Sequence, residues 1–185
     1  MRRITVNSSP AFCRIYLLAS RFLKRTGLSA LAALFLCSCA TSGPYIMSEA
    51  IGPAPGLRSR GKEGMLQVFS GTTEVNDGGI HYYPHTSYRV YSTNGSFIKF
   101  VRNHTTPTDQ RPTMVELSVG DYSVTALSEG MGVVKVPVTI SGSQVTSVYL
   151  ERSRMKEAEG ADEKQLVRFP NGKVVGWKAS VPAAK

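Results

Sequence analysis

The side chains with the most chemistry to offer lie in one short run, His81-Tyr82-Tyr83-Pro84-His85. Two histidines can ligate a metal or move protons, and His104 or Asp109 downstream would be the third ligand. The spacing argues against such a site. On a strand, residues four apart share a face but stand about 13 Å apart, too far to chelate one ion. Only a turn at Pro84 would bring them together, and nothing in the sequence demands one. The expectation is therefore no metal, no cofactor and no catalytic residue. A second chemistry belongs to Tyr82, Tyr83, Tyr88 and Tyr91, because phenol rings give broad contact area with a polar tip. That suits stacking on a sugar, and equally a half-wet core edge. Nucleophilic catalysis has no support: no serine sits in a Gly-x-Ser-x-Gly elbow, and neither a phosphate-cradling glycine loop nor zinc-ligand spacing is present.

The elements that must hold these residues are short and alternating. Residues 65–70 read as a strand and 71–79 as a loop rich in Thr, Asn, Asp and Gly. Residues 88–102 read as one hairpin around Asn94 and Gly95, a favoured two-residue turn. After a loop at 103–112 come alternating strands at 115–119, 122–126, 134–140 and 144–151, with Pro137 favouring a sheet edge. Seven or so short strands with frequent turn signals predict a single small antiparallel β-sandwich over residues 64–151.

Residues 117–124, Leu-Ser-Val-Gly-Asp-Tyr-Ser-Val, match a signature of the form leucine, two residues, glycine, one residue, tyrosine, one residue, valine. This resembles the transthyretin-like, or carboxypeptidase-regulatory-like, sandwiches and their PEGA-like and collagen-adhesin B-type relatives. The resemblance implies a hairpin at the glycine and a non-catalytic accessory or adhesion module, with no catalytic residues to carry over. Fold-level likeness of this kind is compatible with many functions.

The amino-terminal part reads as an address. Arg2, Arg3, Arg14, Arg21, Lys24 and Arg25 precede an apolar run at residues 28–36, and no acidic residue occurs before Cys39. A basic flank, a short apolar core and small residues are the parts of a secretory signal. The core is about half of the ~20 residues a spanning helix needs. Leu36-Cys37-Ser38-Cys39 resembles the lipobox of bacterial lipoprotein precursors, with Cys37 a less usual choice at its position. That resemblance implies a signal peptide at 1–38, diacylglyceryl transfer to Cys39, cleavage before it and acylation of the new terminus. Several acyl chains anchor stably where one is marginal. Ordinary cleavage nearby, for example after Ala40, is the alternative. Ala40 directly after the cysteine resembles outer-membrane sorting, although inner and outer membranes both stay open.

This division recasts the composition. The chain carries 22 Lys+Arg against 13 Asp+Glu, which superficially points to nucleic acid. Six of the basic residues lie before Cys39, so 16 face 13 in the mature chain, a net charge of +3. No concentrated basic patch remains, and nucleic acid is not expected. Cys13 and Cys37 are lost with the signal and Cys39 is consumed by lipid, leaving no disulfide.

Residues 39–63, rich in Gly and Pro, read as the lipidated terminus and a flexible tether. Residues 152–164 are dense in both charges and read as a linker, 165–178 as a hairpin turning at Asn171 and Gly172 and docking on the sandwich, and 179–185 as a frayed tail. The expectation is a lipid-anchored cell-envelope module held on the bilayer by acylated Cys39, with an envelope protein or glycan as partner. Its alternative is a carbohydrate- or small-ligand-binding lipoprotein that uses the tyrosine-rich region 81–91.

Overall fold

The computed structural model describes residues 43–56, 58–152, 155 and 158–179. The export segment 1–38, Cys39 and the tail beyond Ala179 lie outside the described residues. Among the described residues the fold is all-β, built of thirteen strands with a one-turn 3-10 helix at Glu163–Gln165.

Seven strands form the sandwich read from the sequence. They are β3 (Glu63–Phe69), β6 (Tyr88–Ser92), β7 (Phe97–Val101), β8 (Met114–Ser118), β9 (Gly120–Ser128), β10 (Gly132–Ile140) and β11 (Val145–Tyr149). The alternation that predicts them is the alternation that buries them. Val134, Val136, Val138 and Ile140 on β10 face Leu66 and Val68 of β3 and Val148 of β11 across the core, all nearly solvent-free. Burying one such side chain contributes roughly 1.5–3 kcal/mol, so these rows hold the two layers together.

The layers are unequal. The small sheet runs β11-β3-β8, and the large one runs β12-β13-β2-β10-β9-β6-β7, where β2 is Ile51–Gly52, β12 is Leu166–Arg168 and β13 is Val174–Lys178. A further short strand, β1 (Tyr45–Ile46), also pairs with β10. The sheets are mixed rather than purely antiparallel: β11 lies parallel to β3, and β10 parallel to both β1 and β2. Residues 71–79, expected as loop, contain β4 (Val75–Asp77), which pairs with β5 (Ile80–Tyr82) in a small hairpin.

Three expectations are corrected. First, part of the tether expected over 39–63 is built into the fold, while residues 53–56 and 58–62 form no strand: β1 and β2 are strands of the large sheet, Met47 and Ile51 are buried, and Met47 N–H donates to the Lys135 carbonyl at 2.9 Å. Each strand is two residues long, too short for a sequence period, and tertiary pairing supplies the order. Second, the Leu117–Gly120–Tyr122 signature is not a hairpin. β8 belongs to the small sheet and β9 to the large, so the glycine lies where the chain crosses between layers. Tyr122 packs on the core edge and its hydroxyl donates back to the Ser118 carbonyl at 2.9 Å, which braces that crossing. Third, Pro137 sits in an interior strand. The Lys135 carbonyl points toward β1, so by the two-residue period the Pro137 nitrogen faces the same side. There the register skips from Lys135 on β1 to Val138 on β2, and the missing N–H forfeits no ladder bond.

The carboxy-terminal hairpin docks as expected. Trp177 of β13 pairs with Gly52 of β2, so the hairpin extends the large sheet. Gly172, at φ 84°, takes the left-handed turn position that a side chain would strain. The charged stretch before it is partly anchored, since Met155 is buried.

Candidate functional site

The histidine run is divided by its surroundings. His81 lies exposed on β5 and pairs through Nδ1 with the Glu74 carboxylate. His85 is buried, and its Nδ1 donates to the Ser70 carbonyl at 2.7 Å. That bond fixes the ring and turns Nε2 toward Glu151 at 3.7 Å, with Phe69 edge-on at 5.9 Å. His104 Nδ1 donates to the His85 carbonyl at 2.9 Å, so it braces the loop instead of facing the other rings. Asp109 accepts from Thr105 Oγ1 and from the Arg111 N–H, and these bonds hold its carboxyl below the usual range. Among the described residues no group of three or more His, Cys, Asp or Glu side chains is placed to hold a metal ion.

The tyrosines also part company. Tyr88 is 1% exposed at the centre of the core, where no ligand reaches it, so it is a core residue and not the binding residue expected from the sequence. Strand alternation explains this: Tyr88 and Val90 point inward while Arg89 and Tyr91 point outward. Burial pushes the Tyr88 hydroxyl far above its ordinary pKa, and the hydroxyl has no hydrogen-bond partner. Tyr82 is half-buried and Tyr83 exposed at the small-hairpin end. Tyr91 lies elsewhere, edge-on to Phe97 at 5.9 Å on the outer surface of the large sheet. The four rings make no common platform.

A polar cluster closes one end of the sandwich. Asn103 is fully buried, donates to the Val68 carbonyl at 2.7 Å and Ser70 Oγ at 3.0 Å, and accepts from Thr113 N–H at 3.0 Å. Beyond it, burial would raise the Glu129 carboxyl, but bonds from Thr72 Oγ1 and N–H and from Arg152 N–H outweigh it and hold it low. Lys173 Nζ is buried there without a hydrogen-bond partner. Desolvation lowers its pKa, and the nearby Glu129 and Glu151 charges offset this only in part. Lys173 also lines an open groove of about 560 Å³ with Met155, Val174, Arg152 and Arg168. Arg168 is already committed to Glu163 through two bonds and to the Gly172 carbonyl. The groove thus has Met155 and Val174 on an apolar wall, with Glu159 also on its lining and the Lys173 ammonium buried behind it.

Many of the exposed large apolar side chains lie on the outer face of the large sheet. Register places Phe100, Arg89, Thr125, Lys135 and Ile46 in one row across five strands. The next row runs Phe97, Tyr91, Ser123 and Pro137, and a third holds Leu127 beside Val133. Phe97 and Phe100 are 57% and 53% exposed and Ile46 is 66% exposed. Arg89 lies over the Phe100 ring at 5.8 Å, within cation–π range. β7 is also the last strand of its sheet, with one edge unpaired. The signal for this face was present in the sequence as Ser-Phe-Ile-Lys-Phe-Val-Arg at 96–102, where aromatic and basic residues interleave.

Fold and surface together define an all-β sandwich with an apolar and basic sheet face. Comparison of the chain with protein-family models, with curated proteins and with solved structures gives no match in any of the three.

Proposed function

We propose that this chain is a membrane-anchored envelope lipoprotein whose folded body serves as a non-catalytic structural or interaction module. The observation that carries the reading is the exposed apolar and basic face of the large sheet, which has the composition of a contact surface and none of an active site. The lipobox-like Leu36-Cys37-Ser38-Cys39 supports the anchor. The polar groups of the histidine region support the non-catalytic part, since His85, His104 and Asp109 are spent on holding loops. Fractionation tests it: the wild-type protein is expected in the membrane pellet after a high-salt wash, and Cys39→Ala in the soluble fraction or as unprocessed precursor. Equal release of both by salt would refute the anchor.

A second reading, small-ligand or carbohydrate binding, is favoured by the groove beside Lys173 and by exposed Tyr83. Retention on glycan or on an acidic small molecule, abolished by Lys173→Met or Tyr83→Ala, would move it ahead of the first.

A further inference from the structure

The docking of β1 changes where the body must sit. Only residues 40–44 separate Cys39 from Tyr45, the first residue of β1. Six steps of fully extended chain reach about 20 Å. A lipid on Cys39 would therefore hold the sandwich against the bilayer, where a 25-residue tether would have let it stand well clear.

The surface beside that attachment is the outer face of the large sheet. Ile46, the second residue of β1, belongs to the row that ends at Phe100 on the opposite edge. Leu127 and Val133 lie one row away, beside the β9–β10 turn. The outward charges on these strands are mainly basic, Arg89 and Lys135 against Asp121. Between Asp77 and Asp109 there is no acidic residue, while Arg89, Lys99 and Arg102 fall in that interval. Among the described residues none of these three, nor Lys135, has a carboxylate within ion-pair distance. Asp121 is the one carboxylate among the outward positions of β9 and β10, and it sits at the end of β9 away from that turn.

We propose that this face seats on the anionic lipid surface of the membrane in which Cys39 is anchored. Phe97, Phe100 and Ile46 enter the interfacial layer, and Arg89 and Lys135 meet lipid phosphates. Aromatic side chains favour that layer, and each basic residue near an anionic surface adds attraction that falls off within a Debye length. The proposal rests on the anchor reading for its geometry, and the occupant is lipid on two grounds: the short reach from Cys39 and the excess of basic over acidic side chains on the face.

The test uses the full chain recovered from membranes, its acyl state read by intact mass, in vesicles of phosphatidylethanolamine and phosphatidylglycerol. A fluorophore is placed at Phe100→Cys on this face or at Glu116→Cys on the outward side of the small sheet, and nitroxide-bearing lipid quenches it. Quenching several-fold stronger at position 100 supports the proposal, and equal or reversed quenching overturns it. If position 100 is shielded from a water-soluble quencher in native membranes but open in protein-free vesicles, a protein covers the face and the lipid proposal falls. If the mass shows no acyl chain, the anchor reading fails separately and flotation of the same chain with the vesicles decides. Salt-sensitive flotation that drops about tenfold in the Arg89→Glu, Lys135→Glu double variant supports the face, and no flotation overturns it.

Discussion

Ile51 and Gly176 stand so close that a Cβ on the glycine would come within 2.5 Å of the isoleucine Cγ2 and 3.0 Å of the Ser147 carbonyl oxygen. The contact joins the segment that follows the anchor to the carboxy-terminal hairpin, and it lets β13 lie flush on β2 and against β11. Ile51→Ala is expected to cost about 2–5 kcal/mol, the usual range for emptying a full core position. Gly176→Val is expected to cost about 1–3 kcal/mol through overpacking. Urea unfolding reads both. An unchanged midpoint for Ile51→Ala would mean that residues 45–52 do not belong to the fold.

Asn103 bonds three groups at once, and its loss strands buried partners on two elements. Asn103→Ala is expected to lower stability by about 2–3 kcal/mol, since a bare buried carbonyl and N–H each forfeit their hydration. Asn103→Asp should rescue little, because the acid offers no N–H to the Val68 carbonyl. Thermal unfolding of the two variants checks this.

Tyr88 separates core from binding surface. Tyr88→Phe removes a hydroxyl that has no partner, and is expected to be neutral or slightly stabilising. Tyr88→Ala should cost about 3–5 kcal/mol by opening a cavity. If Tyr88→Phe instead lost several kcal/mol, the hydroxyl would have to be bonded in the folded protein.

Lys173 gives a pH dependence of defined sign. Its folded pKa lies below the unfolded value because burial disfavours the charged form. The unfolded chain therefore binds more protons between the two values, and stability from this group rises with pH across that alkaline window. At neutral pH the charge is a cost, so Lys173→Met is expected to raise the unfolding midpoint, by on the order of 1 kcal/mol for removal of an unsatisfied buried donor. The gain should shrink as pH rises through the folded pKa. A fall in stability at pH 7 would show that attraction to Glu129 and Glu151 outweighs desolvation.

The sandwich was legible because its strands are long enough to show a period. Val134, Val136, Val138 and Ile140 alternate over a whole strand, and Asn94 with Gly95 marks a turn chemically. The large sheet's extension was not legible. Tyr45–Ile46 and Ile51–Gly52 carry two residues each, and the glycines and prolines around them read as tether when taken locally. The tyrosine-rich region misled for a related reason: Tyr88 and Tyr91 are three apart, and an odd separation on one strand sends them to opposite faces. The outer face was half visible. Its aromatic and basic alternation stood in the sequence, but its breadth depends on Ile46 and Val133, which only cross-strand register brings beside Arg89 and Phe100.

Whether lipid on Cys39 holds this body at a membrane is read by the intact mass of protein recovered from membranes. The expected result is a chain beginning at Cys39 that carries the added mass of several acyl chains, with Cys39→Ala unprocessed or soluble. A chain that begins after Cys39, or begins at it with no added mass, would rule out the lipid anchor and leave a freely exported domain.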